Sequence, residues 1–368
     1  MSSGVHSDVL VGLSGGVDSA VAALLLKERG KFPHGVFLRT WTPPHLPCSQ
    51  DEDRLHAIAN AVALGIPFMT LDTKDAYYEK VFLPMIEAYK LGLTPNPDIW
   101  CNQSVKFLFL FEAAQGQGAC FATGHYARRE EDKNGAPLLR AARDAKKDQT
   151  YFLSSIPRGI FSSVLFPLSD LLKEDVRAIA REHNLPSAHR RDSVGLCFLG
   201  TFSLKELLAP YLPLTPGPVV NLKGEELGWH EGLALYTIGQ RHGFFVTPQS
   251  SQSPVWYVVA KIPETDTLVV HTDREVSAVT SVRATQWNWL VDPLDREEKL
   301  WVRYRHGQPL QEARLCPLAQ LTDCIIEFAE RQVAVAPGQW IVAYRADGVV
   351  VGGGTIAAYP YPALKYLI

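Results

Sequence analysis

The chain has 368 residues, 46% of them hydrophobic and 20% charged, which excludes a disordered or collagen-like protein and allows about two to three domains. Lys+Arg 36 against Asp+Glu 39 leaves a net charge of -3, so contact with nucleic acid has to come from a local basic patch. The six cysteines (Cys48, Cys101, Cys120, Cys197, Cys316, Cys324) are scattered, without a C-x-x-C pair or Cys/His cluster, which argues against a disulfide scaffold and a structural zinc site. Reduced thiols in a cytoplasm are the expectation. The N-terminal residues show no apolar signal core, and no run of roughly 18 apolar residues points to a membrane span.

Residues 8–13 read as a buried strand, 20–29 as a helix closed by Gly30, and 35–39 as a second strand. A helix with an acidic start follows over 51–64, ended by Gly65, and then a third strand over 67–71. Residues 119–124 form another strand ending in a glycine turn, where an open parallel sheet places ligand-binding residues. This first part is expected to be a doubly wound α/β domain spanning 1–207. A helix over 204–208 is ended by four prolines between Pro210 and Pro218, which mark a domain boundary. Beyond it the apolar period becomes two, as in 255–261, 267–271 and 299–305. A small central domain over 208–272 and a C-terminal β-barrel over 273–368 are expected, with Pro337-Gly338 and Gly352-Gly353-Gly354 as turns between short strands.

Three segments carry chemistry. Ser14-Gly15-Gly16-Val17-Asp18-Ser19 lies between the first strand and the first helix, where glycines free backbone N–H groups and the helix N-terminus favours phosphate. It has no Gly-Lys-Ser/Thr, so it is not a Walker A loop. In Thr94-Pro95-Asn96-Pro97-Asp98-Ile99-Trp100-Cys101-Asn102, two prolines are expected to hold an extended, stiff backbone that presents Asn96 and Asp98 beside Cys101. The third segment places Cys197 among glycines, in Asp192-Ser193-Val194-Gly195-Leu196-Cys197. A cysteine alone is more often a small buried hydrophobe, and Cys48, Cys120, Cys316 and Cys324 are read that way.

S-G-G-x-D-S resembles the PP-loop of the ATP pyrophosphatases, which split ATP into AMP and pyrophosphate. With Cys101 and Cys197 as a thiol pair, and further matches at 122–128, 147–153, 236–241, 302–305 and 336–339, the chain resembles the bacterial tRNA-specific 2-thiouridylase family. The resemblance implies that Gly12, Leu13, Ser14, Gly15, Gly16, Val17, Asp18 and Ser19 hold ATP phosphates, Asp18 helping to hold Mg²⁺, with Leu38 and Gly124 beside the adenosine. No dedicated protein metal cluster is implied. Asn96, Pro97 and Asp98 would contact the target base, and Asp98 and Cys101 would be catalytic. Cys197 would carry the persulfide and form a disulfide with Cys101 during turnover.

Lys147, Asp148, Gln149, Arg303 and Tyr304 would touch the tRNA. The implied reaction is adenylation of O2 of the wobble uridine in tRNAs for Lys, Glu and Gln, followed by sulfur transfer to give 2-thiouridine. The implied partners are those tRNAs and a persulfide-carrying donor, such as a cysteine desulfurase or a sulfur relay protein. A thiol that accepts sulfur reacts as thiolate, so a cation such as Arg128 or Lys147 is expected to lower its pKa. His125 is open between a buried histidine and a proton carrier. Leu38 stands where the family commonly has Met, and 40–48 is rich in proline. Competing readings are a PP-loop amide ligase, a non-catalytic RNA- or ATP-binding protein, and an iron–sulfur site on the two cysteines.

Overall fold

The computed structural model describes residues 8–47, 50–191, 202–247 and 254–367; Cys48 and the segment bearing Cys197 lie outside these. The first sheet has β1 (Asp8–Gly12), β2 (Phe32–Arg39), β3 (Phe68–Asp72), β4 (Cys120–Ala122) and the short strand Val164–Leu165. All pairs are parallel, in the spatial order β3-β2-β1-β4 followed by Val164–Leu165. Strand order reverses between β1 and β4, so a crevice opens beyond their carboxyl ends, where doubly wound sheets bind ligands.

The sequence of β1 explains its placement. Val9 and Val11 point into one apolar cluster with helix α1 (Val17–Glu28), and Leu10 points into the opposite cluster with Phe107, Leu110 and Ala114. Both faces of the strand are covered, so its residues are apolar on every position that matters rather than on alternate ones. Helix α1 is rich in alanine because it is itself enclosed: Ala20, Val21, Ala22 and Ala23 are all fully buried against the sheet, helix α2 (Gln50–Leu64) and the helix Lys173–Glu182.

Two stretches are wound differently from plain α-helix. Tyr78–Phe82 and Asn102–Lys106 are π-turns, each continuous with α-helix on both sides. The second follows Cys101 directly, and single π-turns inside α-helices are frequent at functional sites. The helix Phe107–Gln115 then runs back to β4, so its N-terminal extension, with Cys101, lies at the carboxyl end of the sheet.

A second sheet joins Phe245–Val246, Glu226–His230, Gly217–Val220, Thr267–His271 and Tyr257–Ile262. Arg128–Glu131 and Pro137–Arg140 form a separate hairpin, and six later strands close a barrel: Val279–Trp289, Cys324–Gln332, Gln311–Pro317, Glu298–Arg303, Trp340–Tyr344 and Val350–Ile356. Pro337-Gly338 is the expected turn, but Gly352-Gly353-Gly354 lies inside Val350–Ile356. The glycines are there because Trp287 and Trp340 lie across that strand: a Cβ at Gly352 or Gly353 would collide with the ring nitrogen of one or the other.

The barrel is docked onto the first domain by buried polar contacts. Tyr151 Oη donates to the Trp340 carbonyl at 2.8 Å, Trp340 Nε1 donates to Ser154 Oγ at 2.8 Å, and Asn288 Nδ2 donates to the carbonyls of Ser154 and Ile156 at 2.9 Å each. Arg305 joins the 237–240 loop of the central domain to the barrel by donating to the carbonyls of Ile238 and Ala334 at 2.9 Å each. No helix among the described residues is long and apolar enough to cross a membrane.

Candidate active site

The loop after β1 turns at Gly15, whose φ of +81° belongs to the left-handed region, and a Cβ there would collide with the Asp53 carbonyl of α2. Helix α1 begins at Val17 with no side chain capping it, so its first N–H groups face the crevice with the positive end of the helix dipole. The loop is pre-shaped by its serines. Ser19 Oγ accepts from Ser14 N at 3.2 Å and donates to the Gly16 carbonyl at 3.1 Å, while Ser14 Oγ accepts from Gly16 N at 3.3 Å.

Asp18, in the first turn of α1, is held by two groups from elsewhere in the chain. Tyr126 Oη donates to its Oδ1 at 2.9 Å, and Lys173 Nζ donates to Oδ1 and Oδ2 at 2.6 and 2.7 Å. The same ammonium lies 5.8 Å from the centroid of the Tyr126 ring. Lys173 opens its helix 155 positions from Asp18, and nothing in the local sequence pattern pointed to it.

β4 brings the second wall. A Cβ at Gly124 would stand 2.6 Å from Ser19 N and 2.7 Å from Asp18 C, so glycine is required for the strand's end to lie against the start of α1. Leu38, at the carboxyl end of β2, is half-buried against the cluster that holds Leu10 and Phe121. His125 Nδ1 lies 2.9 Å from Thr123 Oγ1, and its ring centroid is 5.4 Å from that of Phe107. Burial, and then the charge of Lys106, push the His125 pKa down to about 3. His125 is therefore neutral at physiological pH and is not a cationic proton donor there.

Cys101 lies on the helical run 97–115. Its thiol is buried, 3% exposed, in a cluster with Tyr77, Val81, Phe82, Met85, Val105, Leu207 and Leu208, against which Phe202 also packs. The expected extended backbone at 97–101 is corrected: Pro97–Cys101 is a short helix with Pro97 in its first turn and Asn96 as N-cap. Proline's fixed φ and missing N–H suit the first helical position, so the prolines start a helix here. Asn96 and Asp98 are half-buried. The segment is clamped from the other two domains: Thr94 N donates to the Pro337 carbonyl at 2.9 Å, Gln339 Nε2 donates to the Thr94 carbonyl at 2.8 Å, and Thr94 Oγ1 is 3.0 Å from Thr237 Oγ1. The matches at 236–241 and 336–339 thus serve as supports for the segment that carries Asn96, Asp98 and Cys101.

The expected RNA contacts divide. Lys147 is half-buried on the 144–149 loop. Asp148 is 2% exposed; it accepts from Ala142 N at 3.1 Å and Thr150 Oγ1 at 2.7 Å and lies 3.7 Å from Arg303 Nη1. Gln149 Oε1 accepts from Tyr126 N at 3.1 Å. Tyr304 is 4% exposed in the barrel core, its hydroxyl donating to Gln332 Oε1 and the Val333 carbonyl at 3.1 Å each. The carboxylate of Asp148 and the phenol of Tyr304 thus have internal partners that fix the loop and the end of the strand. Arg303 stacks 5.0 Å over the Tyr344 ring, and its buried Nε has no hydrogen-bond partner among the described residues. Arg128 pairs with Asp170 and, at 3.9 Å, with Glu130.

Cys197 lies outside the described residues, but both chain ends leading to it are placed. On one side Arg190 ion-pairs with Asp53, and its Nη1 would stand 3.1 Å from a Cβ at Gly15. On the other side Phe202 packs against the Cys101 cluster. Among the described residues, no group of three His, Cys, Asp or Glu side chains is arranged to hold a metal.

Three family models match the chain in succession: tRNA methyl transferase HUP domain over residues 7–201, tRNA methyl transferase PRC-barrel domain over 205–272, and aminomethyltransferase beta-barrel domain over 279–356. Among curated relatives, the tRNA-specific 2-thiouridylase MnmA of Mycoplasma genitalium is 40% identical over 369 residues, covering 96% of this chain and 99% of that one. Proteins of the same name from Thiobacillus denitrificans and Geobacillus thermodenitrificans are 41% and 40% identical, covering 95% of this chain and 99% and 94% of theirs.

Proposed function

Because the chain belongs to the tRNA-specific 2-thiouridylase family, we propose that it adenylates O2 of the wobble uridine of tRNA and then replaces that oxygen with sulfur. The protein is a tRNA sulfurtransferase. Carbonyl-type oxygen is a poor leaving group, and transfer of AMP to it, with release of pyrophosphate, turns it into a good one that sulfur displaces at C2. The base has to leave the anticodon stack first, at a cost of a few kcal/mol that is smaller in a loop than in a duplex.

One observation carries the reading. Gly124 is pressed against the start of α1, and the next residue, His125, touches Phe107 of the helical run that bears Cys101, which supports a reading in which that thiol and the phosphate-type loop act at one site. ATP is the substrate of that loop, with Gly12, Leu13, Ser14, Gly15, Gly16, Val17, Asp18 and Ser19 on its phosphates and Leu38 and Gly124 beside its adenosine. Asp18 already neutralises a cation, the Lys173 ammonium, which fits a carboxylate placed to help hold Mg²⁺ with phosphate oxygens and water. Bound there, Mg²⁺ would offset negative charge on the pyrophosphate as it leaves. Lys173 stands ready to follow the phosphates once Asp18 no longer needs it.

Asn96, Pro97 and Asp98 receive the flipped base on a segment that three domains hold still, and Asp98 handles the proton beside Cys101. Cys197 brings the persulfide sulfur. Attack by Cys101 on that persulfide frees the sulfur and leaves a Cys101–Cys197 disulfide, which an external thiol reduces before the next turnover.

Lys147, Asp148, Gln149, Arg303 and Tyr304 belong to the segments that meet the tRNA, and Gln149 steadies the 144–149 loop through Tyr126. The tRNAs for Lys, Glu and Gln are the substrates, the donor is a persulfide-carrying protein, and the work is done in the cytoplasm. The test is to replace Cys101 and Cys197 by serine. Loss of 2-thiouridine with ATP binding retained supports the assignment, and product formed by the double variant overturns it. An amide ligase would need neither thiol, and the relatives' names over nearly the full length disfavour it.

A further inference from the structure

We propose that Asp144 and Tyr126 are positioning residues that tie the RNA-facing loop 144–149 to Asp18, so that tRNA and ATP strengthen each other's binding. The inference rests on the reading above and adds a regulation of the same site. Its basis is a closed ring of contacts that neither the sequence motifs nor the reaction required.

Asp144 has no motif role, yet it holds two elements at once. Its Oδ1 accepts from Lys146 N at 3.0 Å and Lys147 N at 3.3 Å, which shapes the loop, while its Oδ2 accepts from Lys173 N at 2.9 Å, which fixes the start of the next helix. Lys173 in turn grips Asp18 through Nζ. At the other end of the loop, Gln149 pairs with the Tyr126 backbone in both directions, its N donating to the Tyr126 carbonyl at 2.9 Å and its Oε1 accepting from Tyr126 N at 3.1 Å. Tyr126 closes the ring by donating from its hydroxyl to Asp18 at 2.9 Å.

The loop is thus joined to Asp18 from both ends, through Asp144 and Lys173 and through Gln149 and Tyr126, and the ring is complete only when both links are made. Asp148, in the middle, is buried and fixed by Thr150 and Ala142, which makes the loop a single stiff unit. A tRNA seated on Lys147 fixes that unit, and the unit fixes both groups that orient Asp18. A site already ordered by one ligand costs the second ligand less ordering entropy, and linkage makes the effect reciprocal.

The experiment measures the dissociation constant of a non-hydrolysable ATP analogue for the full-length protein, alone and saturated with an unmodified tRNA transcript. In the wild type the transcript is expected to tighten analogue binding by about 5-fold or more. In Asp144→Ala and in Tyr126→Phe the factor falls below about 2-fold, while analogue binding to Asp144→Ala without RNA stays within about 2-fold of wild type. Tyr126→Phe keeps the buried ring and therefore tests the ring of contacts even if Asp144→Ala fails to fold. Wild-type coupling retained in both variants overturns the proposal. A wild-type factor of one, in protein that still makes 2-thiouridine, overturns it without touching the reaction; coupling lost in the variants, in protein that makes no 2-thiouridine, supports it and contradicts the reaction instead.

Discussion

Gly124→Ala tests the contact on which the site is built. The substitution adds one methyl group, and Gly124 is not among the residues with positive φ, so the backbone itself tolerates alanine. The cost is steric. The new Cβ would stand 2.6 Å from Ser19 N and 2.9 Å from Ser19 Cα, whereas ordinary contact begins at 3.4 Å, so the two backbones have to separate by at least 0.8 Å. Both neighbours are main chain at the first turn of α1, and neither can rotate away. A shift of that size costs about 1–3 kcal/mol of stability, and a displacement near 1 Å in a reacting group can cost about 100-fold in rate. Pyrophosphate release by the purified variant, measured against ATP at saturating tRNA, is expected to fall by about that factor, with a thermal unfolding profile showing that the variant is still folded. Wild-type kcat and KM for ATP in a folded variant would refute the placement of the nucleotide beside the Gly124–Ser19 contact.

The other expectations concern single residues. Lys173→Met leaves Asp18 without its charged partner, at a cost of about 1.5–3 kcal/mol of stability, and should raise the KM for ATP in the same pyrophosphate assay. Gln339→Ala removes the donor that holds the Thr94 carbonyl; nucleoside analysis should show less 2-thiouridine, while binding of ATP without tRNA is unchanged. His125 has a folded pKa near 3 against an ordinary 6.5. Below 6.5 the unfolded chain takes up a proton that the folded chain refuses, so stability present above that pH is lost as pH falls toward 3, by at most about 1.4 kcal/mol per pH unit. Urea midpoints between pH 7 and 4.5 should therefore decline less steeply in His125→Asn than in the wild type.

What the sequence displayed and what it concealed follow from distance along the chain. The S-G-G-x-D-S loop, β1 and α1 were legible because glycines, a strand and a helix start lie within twelve residues and obey local rules. Lys173 was not, since the contact that gives it meaning closes across 155 positions. Pro97 was read as stiff extended chain because proline's fixed φ serves both an extended segment and the first turn of a helix, and only packing chooses between them. The triple glycine at 352–354 looked like a turn for a similar reason: the two tryptophans that demand glycine inside that strand come from positions 287 and 340. Tyr304 and Asp148 carry the chemistry expected of RNA contacts, but alternation in the barrel strand and the fold of the 144–149 loop turn both inward. The π-turn after Cys101 leaves no mark in the apolar spacing, which suits α-helix equally well.

The most direct measurement is mass spectrometry of nucleosides from an unmodified tRNA incubated with the enzyme, ATP, Mg²⁺ and a persulfide donor. The account predicts wobble 2-thiouridine with AMP and pyrophosphate formed alongside it, and no thionucleoside when ATP is omitted or when Asp18→Asn, Cys101→Ser or Cys197→Ser replaces the wild type. Thiolation that proceeds without ATP, or in a protein lacking both of those thiols, would contradict it.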